Sequence, residues 1–171
     1  MIKLCGTASS LFAVAAQALQ TRPNRVEWGQ TLLISALFTL TAGYLGRYEN
    51  LFKFSPTDEW QAFAIVAVAA ILVPSLFEEV VFRVWMGGKQ GWLRATAAVS
   101  AFVLWHPLQV WLNLPLAQPL FLEPVFLVIT GMLGLACTIA YRISGSVWPP
   151  VFIHWITVIA WKGLTVPVTG L

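Results

Sequence analysis

The chain has 171 residues, of which 58% are hydrophobic and only 10% charged, with a mean hydropathy of +0.78. A soluble domain of this length carries about 25% charged residues, so the composition excludes an ordinary soluble protein and points to a polytopic membrane protein. The formal net charge of +3 comes from Lys and Arg at the ends of apolar runs, with no basic stripe, which fits membrane orientation and speaks against a nucleic-acid partner.

Residues 1–25 read as a weakly apolar N-terminal segment. Leu4 to Thr21 is free of charge but rich in Ser, Thr, Gln and Ala. With Lys3 ahead and Ala16-Gln17-Ala18 near its end it is signal-like, yet its strongly apolar part is short, which favours a retained span or an interfacial helix over a cleaved leader. Cys5 and Cys137 lie far apart in apolar surroundings with no C-x-x-C pair, and read as small apolar core residues.

Residues 26–171 read as one membrane-embedded helical domain. After the polar turn from Thr21 to Glu27, Trp28 to Gly46 carries no charge and is about long enough to cross the hydrocarbon. Arg47 to Glu59 is a polar connection, and Ser55-Pro56-Thr57-Asp58-Glu59 predicts a helix start with Pro in or near the first turn. Trp60 to Phe77 is the next apolar run. It flows into Glu78-Glu79 without a turn signal and should continue to Met86, where Gly87-Gly88-Lys89-Gln90-Gly91 ends it. Pro74 lies four residues before Glu78, removes a backbone hydrogen bond and predicts a kink just ahead of the acids.

Pro107, Pro115 and Pro119 interrupt the charge-free stretch from Ala95 to Leu122, which predicts a span to about Leu112 and a turn from Asn113 to Pro119. Glu123-Pro124 suits a helix start, the carboxylate as cap and Pro at the first position. That helix should run to Tyr141, with Gly131, Gly134 and Ala136 permitting close helix approach in lipid. The last run, Ser146 to about Leu164, opens with Trp148-Pro149-Pro150 and holds His154. Trp28, Trp60, Trp85, Trp92, Trp148 and Trp161 all fall near predicted span ends, as an aromatic belt requires. A weak Lys/Arg bias puts the Lys89 and Arg142 loops in the cytoplasm. The fold class is therefore all-α, a polytopic integral membrane bundle of five or six transmembrane helices.

Glu78, Glu79 and Arg83 need a reason inside such a run, because an ionisable group at membrane depth costs roughly 2.5–3.5 kcal/mol on insertion scales and usually marks a functional site. On a helix Glu79 and Arg83 share a face, whereas Glu78 is turned by about 100 degrees from its neighbour. Arg83 can thus neutralise Glu79 and leave Glu78 as a free carboxylate suited to general-base work, although a purely structural ion network fits the same spacing. The chain has only two histidines, His106 and His154. Counted from the nearest span ends, Glu78, His106 and His154 all sit roughly 12–18 Å from one membrane face, which predicts a single polar layer. One Glu with two His resembles a zinc set with an open position, but H-E-x-x-H is absent.

Glu78-Glu79-x-x-x-Arg83, then Phe102-x-x-x-His106, then Trp148-Pro149-Pro150 leading to His154-Trp155 resemble the ordered motifs of the CAAX protease and bacteriocin-processing (CPBP) family of intramembrane glutamic proteases. The resemblance covers about residues 60–161. It implies a membrane endopeptidase in which Glu78 and His106 activate water, Glu79 and Arg83 support that geometry, and His154 helps stabilise the oxyanion. It implies no required cofactor, zinc being the alternative, and a peptide or protein substrate, membrane-associated or not, met within membrane lipid. It places the chain in a bacterial-type cytoplasmic (inner) membrane. The family pattern often has Asn or Asp four positions after the later His, whereas this chain has Val158; Thr157, Asn113 and Gln109 are the residues that substitution would call on. The reading from a different class is a non-proteolytic membrane scaffold or immunity protein that keeps the polar layer as helix glue.

Overall fold

The computed structural model describes residues 4–89 and 91–168, with side chains from Ser10 onward; the Cys5 side chain and Gln90 lie outside the described residues. Among those described, the chain forms six helices: α1 Leu4–Gln20, α2 Arg25–Tyr48, α3 Trp60–Gly87, α4 Trp92–Trp111, α5 Pro124–Ser144 and α6 Trp148–Leu164. Two short strands, β1 Phe52–Phe54 and β2 Thr165–Pro167, pair antiparallel, and a 3-10 turn occupies Pro119–Leu122. Helices α3 and α5 are long and apolar enough to cross a membrane.

Local chemistry accounts for most of the boundaries. α2 starts at a reciprocal capping box: Asn24 Oδ1 accepts from the Val26 and Glu27 amides at 2.9 and 3.0 Å, and the Glu27 carboxylate accepts from the Asn24 amide at 2.8 Å. α5 begins with Pro124 at the first helical position and stops at Gly145, whose φ of +67° is the left-handed conformation that ends helices. Glu123 precedes α5 as expected, but its carboxylate makes no capping bond. Each of the six tryptophans read as belt residues lies within about a turn of a helix end.

The helix start expected at Ser55–Glu59 is corrected by the sheet. The Ser55 and Thr57 amides donate to the Leu164 and Gly163 carbonyls at 2.9 Å each, prolonging the pairing of β1 with β2, so α3 opens only at Trp60. The last turn of α6 offers unpaired carbonyls, and these out-compete a helical turn for the two amides.

α2 displays the logic of the surface. Thr31 and Ser35 are buried, whereas Leu32, Leu33, Leu37 and Leu40 are each more than half exposed. On α3, Ile65, Val68 and Leu72 are likewise exposed, as is Leu104 on α4. A bundle in water reverses this arrangement; a bundle in lipid requires it. α5 is central, packed against α2, α4 and α6. α1 lies against the end of α3 and is held by backbone carbonyls, Leu11 accepting from Trp85 Nε1 and Leu19 from Trp148 Nε1, with Thr21 just past its end accepting from Ser146 Oγ. Cys137 is fully buried on α5, as a small apolar residue should be.

α3 is broken ahead of the acids. Val73 has non-helical φ and ψ of −132° and 116°, and Pro74 follows it. After the break and the single α-turn Phe77–Glu79, the helix winds wider, in π-type turns over Val80–Gly87. Such turns concentrate at functional sites.

The α4–α5 approach makes a test. A Cβ at Gly134 meets Phe102 at 3.1 Å and Val99 at 3.2 Å, whereas one at Gly131 has 3.6 Å to Val103. Gly131→Ala should raise thermal stability in detergent by up to about 1 kcal/mol through helix propensity, and Gly134→Ala should fall below it by about 1–3 kcal/mol through overpacking. Equal melting points for the two variants would refute the close contact.

Candidate active site

The buried end of the site is built on Glu79, which has no exposed surface. Arg83, one turn on, donates from Nε to Glu79 Oε2 at 2.9 Å, and His154 on α6 meets Glu79 Oε1 through Nδ1 at 2.8 Å. A carboxylate facing Nδ1 fixes the proton on that nitrogen and leaves Nε2 for other partners. Arg83 lies with its guanidinium carbon 4.5 Å above the centre of the Phe102 ring on α4. Its two terminal nitrogens have no hydrogen-bond acceptor, so the aromatic face stands in for one.

Glu78 is treated differently. Its Oε1 accepts from Trp105 Nε1 at 3.0 Å, while Oε2 is buried without a hydrogen-bond partner and sits 3.9 Å from His154 Nε2. His106 bonds the Phe102 carbonyl through Nδ1 at 2.9 Å, which again leaves Nε2 free. Its ring is held by edge contacts with Phe102 and Phe121, at centroid distances of 5.0 and 5.1 Å.

These groups share a wall. Glu78, His106 and His154 line one cavity of about 460 Å³, within the size range of small-molecule and peptide sites, and most of the remaining lining is apolar, from residues such as Ala70, Val73, Leu133 and Val158. The predicted polar layer is thus a single pocket, with both imidazoles buried and neither facing outward. Of the residues weighed against Val158, Gln109 and Thr157 line the cavity, whereas Asn113 does not; it takes a positive φ of 51° in the turn after α4. Among the described residues, no group of three or more His, Cys, Asp or Glu is placed to hold a metal ion.

Three features escaped sequence reasoning. The Trp105–Glu78 bond joins residues 27 apart and the His154–Glu79 bond residues 75 apart, and no periodicity pairs positions on different helices. Phe102, one turn before His106, packs against it and also touches Phe82, Arg83 and His154 on other helices, which makes it the hub of the site.

Residues 59–160 match the family model described as type II CAAX prenyl endopeptidase Rce1-like. The chain belongs to that family. The match runs from just before α3 into α6, so it contains Glu78, Glu79, Arg83, His106 and His154. The family is one of proteases, and the chain is accordingly a membrane protein of a CAAX-protease family, consistent with its apolar helices. No curated protein and no solved structure shows significant similarity to the chain.

Removing one partner from a buried ion pair leaves an uncompensated charge and costs about 3–5 kcal/mol. Arg83→Met should therefore lose most detergent-stable protein, and adding Glu79→Gln should restore more than half of the loss. A double variant no more stable than Arg83→Met, measured by thermal melting, would show that the pair does not carry this part of the fold.

Proposed function

We propose that the chain is an intramembrane glutamic-type endopeptidase in which Glu78 is the general base. The observation that carries the reading is Oε2 of Glu78, a buried acceptor without a hydrogen-bond partner on a residue that lines an apolar cavity together with two imidazoles. In the reaction, Glu78 Oε2 takes a proton from water as the water oxygen bonds to the scissile carbonyl carbon, and the carbonyl electron pair moves onto its oxygen. Collapse of the tetrahedral centre breaks the C–N bond, and the proton held by Glu78 passes to the leaving nitrogen. The products are a carboxylic acid and an amine. A water within hydrogen-bond reach of Glu78 Oε2 can also touch His154 Nε2, because the 3.9 Å between those atoms is too long for a direct bond and short enough for a shared partner. His106 Nε2 can accept the water's second hydrogen bond, and His154, when it carries a proton at Nε2, stands by the developing oxyanion. Glu79 and Arg83 are positioning residues that act through His154 and Phe102.

In this reading no metal takes part. The domain is residues 26–171, with five or six spans, in a bacterial-type cytoplasmic membrane with the Lys89 and Arg142 loops on the cytoplasmic side. The substrate class is a membrane-associated peptide or protein, with prenylated C-terminal segments the first to test, since an apolar cavity beside the hydrolytic groups suits a lipid-modified chain.

Val158 on the cavity wall is what favours the other class, a non-proteolytic scaffold. Glu78→Gln, matched for expression and folding, should cut cleavage by about 10²–10⁴-fold, the range of a general base, and should change the N- and C-termini of membrane proteins in cells. Identical termini with native and Glu78→Gln chains would favour the scaffold.

A further inference from the structure

Hydrolysis needs a donor for the oxygen that takes up charge, and the two imidazoles are poorly arranged to be that donor. His106 and His154 each commit Nδ1 to a fixed acceptor, the Phe102 carbonyl and the Glu79 carboxylate. When neutral, each therefore presents an accepting Nε2 to the cavity. Thr157 is engaged as well, donating its hydroxyl to the Ile153 carbonyl at 2.7 Å.

Gln109 is not engaged. It is 6% exposed, lines the same cavity, and its side-chain amide makes no hydrogen bond to any described residue. Its amide atoms keep accessible surface, so they are open to the cavity rather than sealed within the protein. Three residues after His106, it shares that residue's face of α4. Its position is fixed, because the Gln109 carbonyl accepts from the Leu114 amide at 3.0 Å and anchors the turn that ends the helix.

We propose that Gln109 is a further catalytic residue, its side-chain amide donating to the carbonyl oxygen of the scissile bond as that oxygen becomes an oxyanion. The role rests on the hydrolytic reading above. An amide donates whatever its surroundings, so the site gains a donor that needs no added proton, and Val158 on the facing helix is free to be apolar.

The test uses the purified full chain in detergent and a quenched fluorogenic peptide carrying a prenylated cysteine followed by three C-terminal residues. Gln109→Met keeps the length of the side chain and removes both donors; Gln109→Ala is the second variant. Each should lower kcat by roughly 100- to 1,000-fold, the loss typical of one oxyanion donor, with KM within about threefold of the native value and the shape of the pH profile unchanged. A kcat within about threefold of native in either folded variant, or a loss confined to KM, overturns the role. Loss of folded protein in both variants overturns it too, by making Gln109 structural. If the native chain cleaves this peptide no faster than Glu78→Gln, the protease reading for this substrate class falls, and Gln109 with it; a native chain that depends on Glu78 but not on Gln109 refutes the new role alone.

Discussion

The structure depends on one buried carboxylate. Glu79 has no contact with solvent and accepts from Arg83 at one oxygen and His154 at the other. Taking a carboxylate and a guanidinium out of water costs several kcal/mol per ion, repaid only when the geometry is good and the remaining polar atoms are satisfied. Here both carboxylate oxygens are paired, while the two terminal guanidinium nitrogens have no acceptor and the group lies over the Phe102 ring instead. The network therefore ties α3 to α6 directly and to α4 through Phe102, the three helices that carry Glu78, His154 and His106. Because Glu79 takes both donors, Glu78 keeps an open oxygen. Two neighbouring acids have opposite surroundings, and the difference comes from which helix each one faces.

That asymmetry was partly legible in the sequence. The spacing of Glu79 and Arg83 fixes their shared face, and counting from span ends places Glu78, His106 and His154 at one level, because both inferences use only the regular geometry of a single helix. The same regularity made the helices and the Pro74 break readable. What the sequence hid was every contact made between helices. Trp105 as the donor to Glu78, His154 as the second donor to Glu79 and Phe102 as a shared ring all depend on how α3, α4 and α6 are rotated against one another, which no spacing within one run reports. The small sheet was hidden for a related reason: β1 and β2 are three residues each, too short for an alternating pattern, and they form because α6 ends with carbonyls in need of donors.

The break in α3 connects the fold to access. Val73 and Pro74 line the cavity, so the helix departs from regular winding where the wall must open, a few residues before the acids. Irregular backbone is tolerated at membrane depth only where protein or a cavity surrounds it. The inverted surface of α2, with Thr31 and Ser35 inside and leucines outside, follows the same rule from the other side. Polar groups are gathered inward, and the lipid-facing surface is left to hydrocarbon.

The inward polar groups are not equivalent, and their differences define what the cavity can do. Acceptors with fixed partners, such as both oxygens of Glu79, hold helices together. Glu78 Oε2 and the Gln109 amide have no such partners among the described residues and add nothing to packing. A scaffold gains nothing by keeping an open acceptor and an open donor on one cavity, since replacing either with an apolar group of similar shape can be neutral or stabilising. A hydrolytic site needs one of each, the acceptor for the water proton and the donor for the carbonyl oxygen. Their coexistence within one cavity is the physical reason to read the layer as chemistry.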